Sequence, residues 1–263
     1  MLRLSWLWPV LLSLLPACSA PSADDHTAPP ATAPVILRVA AAADLRYALD
    51  SLVAVFGRQQ PGVQVAVTYG SSGKFYEQIR HGAPFDVFFS ADSDYPRQLQ
   101  EQGLTAAAPV PYATGQLVLW SKTLNPAAQG IRMVLDPRVH KLAIANPAHA
   151  PYGKKAVEIL RHYHLYDQVQ SRLVLGENIA QTANYAVTGA ADAGLIALAL
   201  ALSPELKAQG RYFVVPPEAY SPLLQSFVVL KNASAQPAAR LAAFVGSAPA
   251  RRVLQAYGFT LPR

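Results

Sequence analysis

The stretch Val35-Ile36-Leu37-Arg38-Val39-Ala40-Ala41-Ala42-Ala43, followed at once by Asp44-Leu45-Arg46-Tyr47-Ala48-Leu49, decides the fold class. Its first part is an almost unbroken apolar run, the mark of a strand buried on both faces. After Asp44 the period changes. Leu45, Ala48, Leu49, Leu52, Val53 and Phe56 recur at helical spacing, so a strand over 35–43 feeds a helix with Asp44 near its N-cap. The pattern then repeats. Pro61-Gly62 makes a turn, 63–69 reads as a strand, Gly70-Ser71-Ser72-Gly73 as a polar loop and 74–80 as a helix. A further strand over 86–90 leads to a helix over 95–102. Strand–helix units in direct succession imply an α/β fold with parallel pairing and right-handed crossovers.

Further along, strands are predicted over 116–120, 141–145, 173–175, 194–196, 212–215 and 227–230. Helices are predicted over 152–163 and 179–188, with one long amphipathic helix over 238–257 capped by Gly258. No internal repeat is visible. The chain has 263 residues, 52% hydrophobic and 14% charged, which suits one large domain or two lobes and excludes a disordered chain.

The N-terminus reads as a processed segment. Residues 1–17 carry Arg3 and then an apolar run over 4–15, too short to span a bilayer, which needs roughly 18–20 residues. Leu15-Pro16-Ala17-Cys18 resembles a bacterial lipobox, so Cys18 is the expected lipidation site. The alternative is an ordinary signal peptide cut near Ala20, with Cys18 lost. Residues 18–34 are rich in Ala, Pro and Ser and are expected to form a flexible tether. Cys18 is the single cysteine, which excludes an internal disulfide framework. The formal charge of +6 is spread along the chain without a basic run, and no nucleic-acid partner is expected.

In an open parallel sheet, ligands bind beyond the carboxyl ends of the strands. Two loops there lead straight into helix N-termini: Ala43-Asp44-Leu45 and Gly70-Ser71-Ser72-Gly73. Free N–H groups and the positive end of the helix dipole favour an anion. Taken alone, a Gly-Ser-Ser-Gly loop is more often a solvated turn. It is not a P-loop either: only two residues separate the glycines, and Phe75 follows Lys74 where Ser or Thr is needed. No His-Glu-x-x-His and no Gly-x-Ser-x-Gly occurs, so catalysis has little support.

Three segments carry a resemblance. Val39-Ala-Ala-Ala-Ala-Asp-Leu-Arg-Tyr-Ala-Leu, Thr68-Tyr-Gly-Ser-Ser-Gly-Lys-Phe-Tyr-Glu-Gln-Ile and Gly82-Ala-Pro-Phe-Asp-Val-Phe-Phe-Ser-Ala-Asp resemble the periplasmic molybdate-binding proteins of ABC transporters. Ala145-Asn-Pro-Ala-His-Ala-Pro-Tyr-Gly-Lys and the terminal Ala256-Tyr-Gly-Phe fit the same family. The resemblance implies a two-lobe periplasmic-binding-protein-like fold. Each lobe would be a mostly parallel sheet flanked by helices, joined by crossovers near 112–116 and 220–225. Lobe 1 would hold 35–113 and 222–263, and lobe 2 would hold 114–221.

The resemblance also implies the site. Ser72 falls on the family's serine ligand, and Ala43 and Asp44 lie on the loop after the first strand. Tyr152 follows the family's proline, and Ile179 falls on a valine that offers its amide at a helix start. Two departures stand out. Asp44 replaces a serine, and its side chain is expected to turn away and cap helix 1 while its N–H faces the ligand; the alternative is a protonated carboxyl that donates a hydrogen bond to the anion. Ala197 stands where the family often has a tyrosine; the Tyr152 hydroxyl is expected to stand in for it. The implied ligand is molybdate or tungstate, held through its oxygens with no direct metal ligand and no cofactor. The implied setting is a monomeric extracytoplasmic lipoprotein, lipid-anchored at a membrane surface, that delivers to an ABC permease. Two alternatives stay open: another tetrahedral oxyanion such as phosphate or sulfate on the same fold, and a hydrolase.

Overall fold

The computed structural model describes residues 34–262. The expected signal segment, the lipidation site Cys18 and nearly all of the tether lie outside the described residues. The strands are β1 Val35–Ala42, β2 Val63–Gly70, β3 Val87–Ser90, β4 Val110–Gly115, β5 Leu117–Ser121, β6 Leu142–Ala145, β7 Leu173–Gly176, β8 Ala193–Ala197, β9 Arg211–Val214 and β10 Leu223–Val229. The helices are α1 Arg46–Gln59, α2 Ser72–Arg80, α3 Asp94–Glu101, α4 Pro126–Gln129, α5 Pro151–His162, α6 Tyr166–Val169, α7 Ile179–Thr188, α8 Leu198–Ala201, α9 Ala235–Val245 and α10 Ala248–Ala256.

These strands form two five-stranded sheets, ordered β2-β1-β3-β10-β4 and β7-β6-β8-β5-β9. Both are mixed. In the first, β1 pairs parallel with β2 and β3, while β10 runs antiparallel to β3 and β4. In the second, β6 pairs parallel with β7 and β8, while β5 runs antiparallel to β8 and β9. The chain leaves the first sheet after Gly115, enters the second at Leu117, and returns from Val214 to Leu223.

Each sheet is buried because its strands are apolar on both faces. Leu37, Val39 and Ala41 of β1 pack with Leu49, Leu52 and Phe56 of α1 and with Leu241 and Leu254 of α9 and α10. Ala40 and Phe88 face the other way, onto Phe75, Tyr76 and Ile79 of α2 and Leu99 of α3. Burying one such Leu or Phe side chain contributes about 1.5–3 kcal/mol.

Register fixes the geometry that matters here. Ala42 lies opposite Gly70 and Ala145 opposite Gly176, so in each sheet two strands end level. The loops that follow them emerge side by side.

Two expectations are corrected. The single helix over 238–257 is two helices, α9 and α10. The break follows from Gly246-Ser247: the Ser247 hydroxyl accepts from the Ala250 amide as the N-cap of α10, and a proline sits in that helix's first turn. Asp44 is not an N-cap. It lies inside a one-turn 3-10 segment, Ala43–Leu45, that precedes α1, and no side chain caps α1.

Candidate functional site

Four chain segments that start helices meet at one small cavity. They are the 3-10 turn after β1, the start of α2 after β2, the start of α5 after β6 and the start of α7 after β7. The predicted Ala43, Asp44, Ser72, Tyr152 and Ile179 all line it, and all are buried. The space between atoms there, open solvent at its mouth included, is about 200 Å³.

The capping chemistry singles out particular amides. In the first turn of any helix the N–H groups have no intrahelical acceptor. In α7, the Asn178 side chain accepts from the Ala180 and Gln181 amides, and its carbonyl accepts from Thr182. That leaves the Ile179 amide. In α2, the Gly73 amide donates to the His149 carbonyl at 2.9 Å, and the Phe75 amide to Ser71. That leaves the Ser72 and Lys74 amides, and of these two residues Ser72 lines the cavity. In α5, Pro151 has no N–H, and the Gly153 and Lys154 amides donate to Ala150. That leaves the Tyr152 amide. The Ser72 hydroxyl accepts from the Ala91 amide at 3.0 Å, so its own proton is free to donate into the cavity.

The lining residues include no Lys, Arg or His. Apart from the Asp44 carboxyl, only uncharged dipoles face the space, which is how backbone concavities hold anions. Among the described residues no group of three or more His, Cys, Asp or Glu could hold a metal ion.

The cleft is shut by bonds between elements of the two sheets. The Ser71 hydroxyl lies 2.7 Å from the His149 carbonyl oxygen and 2.9 Å from His149 Nδ1. Lys74 pairs with Glu177, and the Tyr47 hydroxyl donates to Glu205. Lys154 Nζ sits 5.2 Å from the centre of the Tyr95 ring. Glycine permits the closest approaches. A Cβ on Gly73 would lie 2.6 Å from the His149 oxygen, and one on Gly153 would lie 2.1 Å from the Ala145 oxygen.

Asp44 departs from expectation. Its side chain caps no helix but reaches the Tyr152 hydroxyl at 2.9 Å and Gln225 Nε2 at 2.6 Å, both donating to Oδ2. Oδ1 has no hydrogen-bond partner. Burial pushes the carboxyl up to about 6, against the lowering effect of the Gln225 and Tyr152 hydrogen bonds. Burial, and then the Asp44 charge, hold Tyr152 and Tyr112 well above the usual phenol range. The Tyr152 hydroxyl is therefore engaged with Asp44 rather than standing in for the side chain missing at Ala197, which does not line the cavity.

Asn178, Gln225 and Tyr112 were not anticipated. The asparagine directly before the apolar start of α7 is a readable N-cap signal. Gln225 and Tyr112 meet Asp44 only through sheet pairing across distant segments, and nothing local in the sequence marks them.

Comparison with known proteins matches residues 37–260 to the bacterial extracellular solute-binding proteins. The chain is 36% identical to the molybdate-binding protein ModA of Azotobacter vinelandii over 228 residues, 86% of this chain and 90% of that one. The solved structure of the periplasmic molybdate-binding protein of the same organism superposes with a TM-score of 0.80 at 33% identity, covering 86% of this chain and all of the other. The Bacillus subtilis YvgL, described as a putative ABC transporter substrate-binding lipoprotein, is 26% identical over 86% of each chain.

Proposed function

Because this chain belongs to the bacterial extracellular solute-binding proteins, in the branch of the molybdate-binding proteins, we propose that it captures molybdate between its lobes for an ABC transporter. It is a binding protein of the extracellular or periplasmic side and not an enzyme. The observation that carries the molybdate site is the convergence of the Ser72, Tyr152 and Ile179 amides, each left over by its own helix's capping, on one cavity without a cation.

In this reading the Ser72 amide and hydroxyl and the turn Ala43-Asp44 hold the anion from the lobe built on the first sheet. Tyr152 and Ile179 hold it from the other. The lobes hinge where the chain passes between the sheets, and closure traps the ligand. A dianion strengthens each hydrogen bond it receives, roughly twofold over a neutral acceptor, without a buried counter-charge. Tungstate, an oxyanion of the same shape and charge, is taken as well. Cys18 carries the lipid anchor; its lipobox-like surroundings and the lipoprotein relative support this. The protein acts as a monomer, since one chain supplies every donor of the cavity.

Thermal unfolding in sodium molybdate, tungstate, sulfate and phosphate tests the reading. Ligand at 100 times its dissociation constant adds about 2.7 kcal/mol of stability. Molybdate and tungstate should raise the melting temperature at micromolar concentration, and sulfate and phosphate should not. A rise with phosphate alone would replace molybdate by a protonated oxyanion, with Asp44 accepting its hydroxyl.

A further inference from the structure

The Asp44 carboxyl is clamped from the two strands that lead between the sheets. Tyr112, on β4, donates its hydroxyl to Gln225 Oε1 at 2.6 Å. That use of the amide oxygen turns Gln225 Nε2, on β10, toward Asp44 Oδ2 at 2.6 Å. The Tyr152 hydroxyl from α5 donates to the same oxygen at 2.9 Å. Oδ2 is thus occupied as an acceptor by two fixed donors. Oδ1, on a residue 1% exposed that lines the anion cavity, is left with no partner.

We propose that Asp44 enters the loaded site as a carboxylic acid whose Oδ1–H donates to the bound oxyanion, so that each oxyanion captured takes up one proton from solution. The inference rests on the oxyanion reading above and names a further donor within that site. Gln225 and Tyr112 are positioning residues: they decide which oxygen carries the proton.

The surroundings offer no other remedy for two negative charges side by side. Tyr152 faces Asp44 from α5, Tyr112 from β4 and the neutral Gln225 from β10. Tyr220 lies beyond Tyr152, with its hydroxyl oxygen accepting from the Leu117 amide. The start of α7 brings Ile179, Ala180 and the neutral Asn178 and Gln181 toward the 3-10 turn, and the α8 side chains are apolar. On its own segment, Arg46 is exposed and Tyr47 is turned to Glu205. No lysine, arginine or histidine lines the cavity. Both phenols resist ionisation, and burial already favours the neutral carboxyl before the anion arrives. An incoming dianion strengthens that preference.

The test is calorimetric titration of the full chain with sodium molybdate between about pH 6 and pH 8.5, in buffers of different ionisation enthalpy. Wild type should take up close to one proton per molybdate near pH 8, and its affinity should fall toward about tenfold per pH unit there. Asp44→Asn and Asp44→Ser supply a donor that does not titrate. They should bind with nearly constant affinity, take up almost no proton and overtake wild type at high pH. Gln225→Leu and Tyr112→Phe should move the midpoint of the pH profile upward, a change that a merely structural role would not produce. Flat wild-type affinity with no proton uptake, or a pH profile unchanged in Asp44→Asn, would overturn the proposal. No binding even near pH 6 would instead refute the molybdate reading on which it rests.

Discussion

Gly73→Ala should separate closure of the cleft from stability of the fold. Gly73 sits in the first turn of α2, and its amide donates to the His149 carbonyl across the cleft at 2.9 Å. An added Cβ would stand 2.6 Å from that same oxygen, where ordinary contact begins at 3.4 Å. It would also stand 2.7 Å from the Tyr95 hydroxyl, but that is the far end of a side chain that can rotate. The backbone oxygen cannot move so easily, so the lobes must part locally by about 0.8 Å. That stretches the Gly73–His149 bond beyond hydrogen-bonding range and weakens the Ser71–His149 pair. At about 0.5–1.5 kcal/mol for each of these two contacts, the closed form loses about 1–3 kcal/mol. Molybdate affinity should therefore fall by about five- to 150-fold. Alanine is also the better helix former by about 1 kcal/mol, so the unliganded protein should melt no lower than wild type. Titration calorimetry with molybdate, beside thermal unfolding without it, reads both quantities. A dissociation constant within about threefold of wild type would show that His149 and Gly73 need not meet for binding, and the account of closure would fail.

Gly153→Ala should behave differently, because its Cβ would strike the Ala145 oxygen within one lobe at 2.1 Å. Overpacking of this kind costs about 1–3 kcal/mol, so urea unfolding and molybdate titration should both show losses. Ser72→Ala removes a hydroxyl donor and leaves the buried Ala91 amide unpaired. Stability in urea should drop by about 1–3 kcal/mol and molybdate affinity by about tenfold or more. Burial of Asp44 raises its carboxyl from 3.8 to about 6, so its contribution is complete below the unfolded value and disappears as pH rises through about 6. Without ligand, wild type should lose about 2 kcal/mol relative to Asp44→Asn between about pH 4 and pH 7, measured by urea unfolding. Lys74→Ala removes a half-exposed ion pair with Glu177 at the cleft rim. Calorimetry should find molybdate affinity lowered by less than about fivefold, since exposed pairs contribute about 0–1 kcal/mol.

The parts that were readable from sequence are those governed by local pattern. The change of period at Asp44 places β1 and its helix, and the succession of strand and helix places β2 and β3 beside β1. The amides proposed to hold the ligand belong to residues at helix starts, which sequence can locate. Side-chain pairing across distant segments is another matter. β4 contains Pro111 and Gly115 and reads as a connection, yet it is an edge strand, where a missing donor is tolerated. β10 begins four residues before the predicted strand because Gln225 and Ser226, polar and seemingly loop-like, are buried inside the sheet. Asp44 looked like a cap because Asp before a helix usually is one. Its actual partners, Gln225 and Tyr152, lie 181 and 108 residues away.

On the proposed reading, the first turn of α2 makes binding and closure one event. Its two leading amides diverge: Gly73 donates to the opposite lobe, and Ser72 faces the cavity. Shutting the cleft without a ligand strips water from the Ser72, Tyr152 and Ile179 amides and gives them nothing in return. Each unpaired amide costs about 1–3 kcal/mol, as much as the cross-cleft bonds gain, so the empty protein has little reason to stay closed. An oxyanion that reaches donors of both lobes removes all of these penalties together. One too small to span them leaves at least one amide unmet, a loss of about five- to 150-fold in affinity. Size selection then needs no pocket wall that repels the smaller anion. It follows from rigid donors, set by helix starts on two separate sheets, that only a sufficiently broad tetrahedron can satisfy at once.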